Sequence, residues 1–122
     1  MLLGNLLKLE SKKYNNIFVK GISFDSRKIK KGEVFFAIKG NEISGDRFIK
    51  QAIVKQASAI VSSNKKESQN YNFPFILVKD VRKCLAEASS NLYKKKPSNI
   101  IAVTGTNGKS SVADFFYQIL NI

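Results

Sequence analysis

Gly32-Glu33-Val34-Phe35-Phe36-Ala37-Ile38-Lys39-Gly40 holds five consecutive apolar side chains between two glycines. The run is too short for a helix and rich in branched and aromatic residues, so it predicts a buried strand. Upstream, Ile17 to Phe24 is β-rich, with Val19 and Ile22 expected inward, and Asp25 to Gly32 is a charged connection closed by Gly32. Downstream, Gly40 to Gly45 reads as a loop and Asp46 as the N-cap of a helix with Phe48, Ile49, Ala52, Ile53 and Ala57 on one face. Ala59-Ile60-Val61 predicts another short strand, Asn64 to Asn72 an exposed loop, and Phe75 to Val78 a further strand. Asp80 then caps a helix in which Val81, Leu85, Ala88 and Leu92 recur at helical spacing. Before the deciding stretch, the leucines of residues 2–9 predict a short helix and Lys12 to Asn16 a loop. Strands alternating with helices imply an α/β architecture without internal repeats.

The chain has 122 residues, of which 43% are hydrophobic, enough to bury a core and unlike a disordered tail. Its 21 basic residues outnumber 9 acidic ones, a net charge of +12. Nucleic acid, an anionic membrane surface and phosphorylated small molecules all suit that balance; so does a coat of solvated lysine. A nucleic-acid module would expose its aromatics, whereas Phe35, Phe36, Phe48 and Phe75 fall in apolar runs and read as core. There is no histidine, which removes imidazole catalysis and imidazole metal ligation from these residues. The one cysteine, Cys84, reads as a small buried hydrophobe and has no disulfide partner. The apolar residues 1–7 are too few to span a bilayer and lack the order of a signal peptide.

Lys94-Lys95-Lys96-Pro97 reads as a linker, and Ile100-Ile101-Ala102-Val103 as a buried strand. That strand runs into Gly105-Thr106-Asn107-Gly108-Lys109-Ser110 and a helix from about Lys109 to Leu120. Strand, glycine loop, Lys-Ser and helix form the context of a phosphate-binding loop. Glycines let backbone amides converge on anionic oxygens, and the helix N-terminus faces the same phosphates. Lys109 would reach the β and γ oxygens and Ser110 would offer its hydroxyl to bound magnesium. The spacing departs from the general pattern: only two residues separate Gly105 from Gly108. The boundary falls near residues 94–98, giving a first domain over 1–96 and the opening of a second over 97–122.

The shortened loop, Val103 to Ser111, resembles that of the Mur ligases and of the folylpolyglutamate synthases. Phe24-Asp25-Ser26-Arg27, the stretch from Lys31 to Gly40, Phe48-Ile49 with Ala52, and Ala57 to Val61 resemble the UDP-sugar domain of the Mur ligases, which the folate enzymes lack. Thr106-Asn107, Leu92-Tyr93 and Pro97 point to the branch that adds the third residue of the peptide rather than the one that adds the terminal dipeptide.

The resemblance implies an ATP- and Mg²⁺-dependent cytoplasmic enzyme of peptidoglycan precursor synthesis. It would act as a monomer, without nucleic acid or membrane partner, and join an amino acid to UDP-N-acetylmuramoyl-L-Ala-D-Glu through an acyl phosphate. Meso-diaminopimelate and lysine are both open as the third residue. Phe24, Ser26, Asn41, Glu42 and Ile43 match the positions that hold the UDP-precursor. Gly105, Thr106, Asn107, Gly108, Lys109, Ser110 and Ser111 match the ATP loop, with Ser110 on magnesium. No complete catalytic set lies within these residues, so the ATP site is begun here and the fragment alone is expected to be inactive. Arg27 has two readings, a bidentate phosphate ligand or a structural partner of Asp25. Where the family often has Asp-Gly before the helix, this chain has Ser44-Gly45-Asp46, which weakens the match over residues 41–46.

Overall fold

A computed structural model describes residues 1–95, 97–102, 105, 114 and 117–120. Four strands, β1 (Gly21–Ser23), β2 (Glu33–Phe36), β3 (Ala59–Ser62) and β4 (Phe75–Leu77), form one sheet in the order β1-β2-β3-β4. Every neighbouring pair is parallel. A parallel sheet must be covered on both faces, and the residue period of two sends alternate side chains to each. Val34, Phe36, Ala59, Val61 and Ile76 enter one core, under α1 (Leu3–Leu7) and α4 (Val81–Leu92). Phe35, Ala37 and Ile60 enter the other, with Ile49 and Ala52 of α2 (Ile49–Val54). The deciding stretch therefore feeds both cores. Phe35 and Phe36 are completely buried on opposite faces, each worth about 1.5–3 kcal/mol relative to an exposed ring.

The apolar run from Ile17 to Phe24 is shorter as a strand than its composition predicts. Its first half pairs with the chain start instead. Leu3 N–H donates to the Ile17 carbonyl and Val19 N–H to the Met1 carbonyl, both at 2.8 Å. Val19 is buried as expected, and Ile22 is half-buried. The Asn91 side-chain amide donates to the Leu6 carbonyl at 2.9 Å and ties α4 to α1. The β1–β2 connection contains no helix; Ile29 buries in the α2-side core, and Gly32 closes the turn at φ 87°, where a side chain would be strained.

Four sequence expectations are corrected. Residues 64–72 are not all loop: Lys65–Asn70 forms α3, whose cap Asn64 accepts from the Lys66 and Glu67 amides at 3.1 and 3.4 Å. This helix is polar throughout, so no apolar period announces it. Asp46 is not the N-cap. Ser44 caps a 3-10 turn, Gly45–Phe48, that precedes α2, and accepts from the Asp46 amide at 3.4 Å. That turn lifts Phe48 out of the core and leaves it 39% exposed, while Phe75 is half-buried. Residues 100–102 are exposed and lie in no strand, since an apolar run becomes a strand only against a partner ladder and none of the four strands pairs with it. Asp80 does cap α4, accepting from the Lys83 amide at 3.0 Å.

Candidate functional site

In a parallel sheet with helices on both faces, ligands sit beyond the carboxyl ends of the strands. All the precursor-binding positions suggested by sequence lie at that edge. The chain leaves β1 through Phe24 into a turn over residues 26–28. The Asp25 carboxylate organises this turn. Its Oδ1 accepts from the Arg27 amide at 2.9 Å and from Arg27 Nε at 3.0 Å, while Oδ2 accepts from Arg27 Nη2 at 2.9 Å. The Arg27 hydrogen bonds hold the Asp25 carboxyl down at about 2, against an ordinary 3.8, and the same pair raises Arg27. Of the two readings of Arg27, the structural pair with Asp25 is the one observed.

A second cation fixes the turn from below. Lys55 Nζ, at the end of α2, donates to the carbonyl oxygens of Ser26 at 2.9 Å and Arg27 at 2.8 Å. Ser26 is consequently buried on a pinned backbone. Phe24, Asp25, Ser26, Arg27 and Phe48 together line a cavity of about 370 Å³. Phe24 is 65% exposed. Two aromatic side chains and a hydroxyl residue on a fixed turn make a surface suited to a flat, hydrogen-bonding ring.

The other predicted segment, Asn41 to Ile43, is the exposed tip of a tight excursion at the end of β2. Lys39 and Ser44 pair antiparallel at its base, and the Gly40 amide donates to the Ile43 carbonyl at 3.1 Å. Gly45 lies so close to the backbone just after β2 that a Cβ there would meet the Ile38 amide nitrogen at 2.6 Å and its carbonyl oxygen at 2.7 Å. Asp46 then anchors the whole excursion to the next strand. Its Oδ1 accepts from Ser62 Oγ at 2.7 Å; its Oδ2 accepts from Ser44 Oγ at 3.2 Å and Asn64 Nδ2 at 3.3 Å. The departure from the family pattern at Ser44-Gly45-Asp46 is thus a carboxylate clamp between the loop and β3.

Sequence reading missed both Lys55 and the Asp46–Ser62–Asn64 network. Lys55 carries no signal that separates it from other surface lysines. Asp46 does carry one, as a cap-type residue beside a second cap-type residue, Ser44. Of the ATP-loop positions only Gly105 is described. Its φ of 144° is one that side chains rarely adopt. Thr106, Asn107, Gly108, Lys109, Ser110 and Ser111 lie outside the described residues. Among the described residues no group of three or more Cys, Asp or Glu could hold a metal ion, and no helix is long and apolar enough to cross a membrane.

Residues 18–93, more than half of the sequence, match the Mur ligase family, catalytic domain. The chain belongs to the Mur ligase family. Among curated relatives, the UDP-N-acetylmuramoyl-L-alanyl-D-glutamate--2,6-diaminopimelate ligase of Rickettsia montanensis is 49% identical over 100 residues, 82% of this chain and 20% of the relative. The ligase of that name from Agrobacterium fabrum is 42% identical over 103 residues, 84% of this chain and 20% of the relative. Among solved structures, a MurF ligase from Thermotoga maritima in complex with ADP superposes with a TM-score of 0.67 at 25% identity, covering 87% of this chain and 24% of that one. This Mur ligase chain spans about a fifth of the length of the curated relatives it matches.

Proposed function

We propose that this chain forms the UDP-precursor-binding part of an ATP-dependent ligase of peptidoglycan synthesis, of the UDP-N-acetylmuramoyl-tripeptide synthetase kind. The longer protein adds a third amino acid to UDP-N-acetylmuramoyl-L-Ala-D-Glu. The observation that carries the reading is the β1 turn, where buried Ser26 sits on a backbone pinned by Lys55 and is flanked by exposed Phe24 and by Phe48. Uracil stacks on such rings and offers hydrogen-bonding edges to a hydroxyl or amide. Asn41, Glu42 and Ile43 complete the site from the β2 excursion, Glu42 through backbone rather than its carboxylate. Residues 1–96 form the precursor-binding domain and residues 97–122 open the ATP domain, with Gly105 to Ser111 around the phosphates and Ser110 on magnesium. The relatives' names favour diaminopimelate over lysine as the added residue. They also favour this branch over the dipeptide-adding one, since the superposed MurF ligase is only 25% identical. The reading takes the protein as a cytoplasmic monomer.

Calorimetry on the chain tests this. The UDP-precursor should bind more tightly than single-stranded DNA at moderate salt. The reverse order would overturn the reading in favour of a basic nucleic-acid module.

A further inference from the structure

β4 is an edge of the sheet, and its outer side carries no strand. It bonds to β3 through the Pro74 carbonyl, which accepts from the Ile60 amide at 2.9 Å, and the Val78 amide, which donates to the Ser62 carbonyl at 3.0 Å. Ladder groups alternate along a strand, so Ile76 also faces β3, while the amides and carbonyls of Phe75 and Leu77 point outward. Among the described residues no hydrogen bond reaches those four groups. Native edges are usually blunted by a charge or a bulge. Phe75-Ile76-Leu77 has neither, pairs with β3 in regular register, and leaves Leu77 48% exposed.

This edge is the floor of a cavity of about 500 Å³. One wall is Leu9, Ser11, Lys13 and Tyr14, of which Leu9 and Tyr14 pack against the core under α1 and α4. The other is aromatic, Tyr71 and Phe73, and packs with Phe75 against the core that holds α2. An extended segment laid along β4 would set alternate side chains against the aromatic wall and the ones between against the wall that carries Lys13. A small ring-shaped ligand would use the walls but not the row of main-chain groups at the floor. Lys13 stands over the Tyr14 ring at 5.1 Å and is the one charged residue of the lining. Glu10 and Glu67 adjoin lining residues in sequence but do not line the cavity, and the chain as a whole carries +12. Two copies of so basic a chain repel each other across a shared edge, whereas an acidic segment is drawn to it.

We propose that the β4 edge is a docking site for an extended acidic segment of a partner protein, which adds to the sheet as a fifth strand. Main-chain bonds to Phe75 and Leu77 supply affinity, the aromatic wall selects apolar side chains at alternate positions, and Lys13 selects carboxylates between them. The site goes beyond the precursor reading and stands apart from it, since β4 is the strand farthest in the sheet from the β1 turn.

The test is amide hydrogen exchange by NMR on the chain with three capped hexapeptides. One alternates valine and glutamate, one alternates valine and lysine, and the third is the valine–glutamate peptide methylated at every main-chain nitrogen, which cannot donate. In excess, the first should slow exchange of the Phe75 and Leu77 amides threefold or more, and that of Ile76, already bonded to β3, by less. The other two should leave these amides unchanged. Leu77→Pro deletes one outward donor but no bond to β3, a place where an edge strand tolerates proline, and should bind the first peptide about tenfold more weakly. Leu77→Thr keeps the donor and should bind within twofold of the parent. Lys13→Gln should lose threefold or more, and spectral dispersion reports the fold of each variant. If the valine–glutamate peptide leaves Phe75 and Leu77 unprotected, the lysine peptide protects them equally, or folded Leu77→Pro or Lys13→Gln binds as the parent does, the proposal is overturned. Protection that appears without peptide and grows with chain concentration would give the edge to a second copy and overturn the acidic partner.

Discussion

Asp25 and Arg27 were legible as a motif, but their division of labour was not. In sequence, an arginine two residues after an aspartate can face a ligand or fold back onto its neighbour. The structure has it fold back, with both carboxylate oxygens engaged. The folded carboxyl, at about 2, lies below its ordinary 3.8, so its contribution to stability is present above about pH 4 and is lost as pH falls through 2. The pair is solvent-facing and its energy is correspondingly small. A carboxyl-carbon NMR titration should place the Asp25 midpoint near 2 and return it towards 3.8 in Arg27→Gln; a parent midpoint at the ordinary value would show that the pair does not persist in solution. Lys55 is the residue that composition hides. Lys55→Met keeps the apolar stem and removes two charge-assisted hydrogen bonds to the turn. The expected loss is about 1–3 kcal/mol by urea denaturation, with UDP-precursor affinity falling as the Ser26 backbone is freed. An unchanged denaturation midpoint would mean that the turn holds itself.

Elements were legible where apolar side chains recur and obscure where they do not. β2, β3, β4 and α4 all declare themselves, because each must bury apolar side chains in one or both of the two cores. The polar α3 is held by a cap and the 3-10 turn by a serine and a close backbone approach, features that hydrophobic periodicity cannot report. The excursion between β2 and α2 depends on two such features. In Gly45→Ala the new methyl would meet Ile38 backbone atoms at 2.6–2.7 Å, and backbone cannot yield as a flexible side chain can. A loss of about 1–3 kcal/mol is expected, with weakened precursor binding as the tip at Asn41–Ile43 shifts. Asp46→Ala leaves the buried Ser62 hydroxyl without its acceptor, at a cost of about 1–3 kcal/mol. Asp46→Asn keeps an acceptor oxygen for Ser62 and should recover much of that loss. Equal losses in Asp46→Ala and Asp46→Asn would show that charge, rather than acceptor geometry, carries the clamp.

At the scale of the whole molecule, the four-stranded sheet carries the proposed precursor site, and the glycine loop beyond it is described only at Gly105. The two were unequally legible for a physical reason. A phosphate loop is a local device, readable from Gly105, Gly108, Lys109 and Ser110 because a few consecutive residues hold all of its chemistry. The proposed precursor site is assembled from the ends of separate strands and from a lysine nearly thirty residues away from the turn it supports, so only the turn and loop motifs that resemble the family could expose it. This separation predicts that the two sites fail independently. On the proposed function, Lys109→Ala in a ligase of the relatives' full length should abolish ATP-dependent joining of the third amino acid, because the charge proposed for the β and γ oxygens is gone. Precursor affinity by calorimetry should be unchanged, since Phe24, Ser26 and the β2 excursion are intact. Retained ligation would remove Lys109 from the ATP site. Joint loss of ligation and precursor binding would mean that the precursor is held across both domains rather than by the first alone.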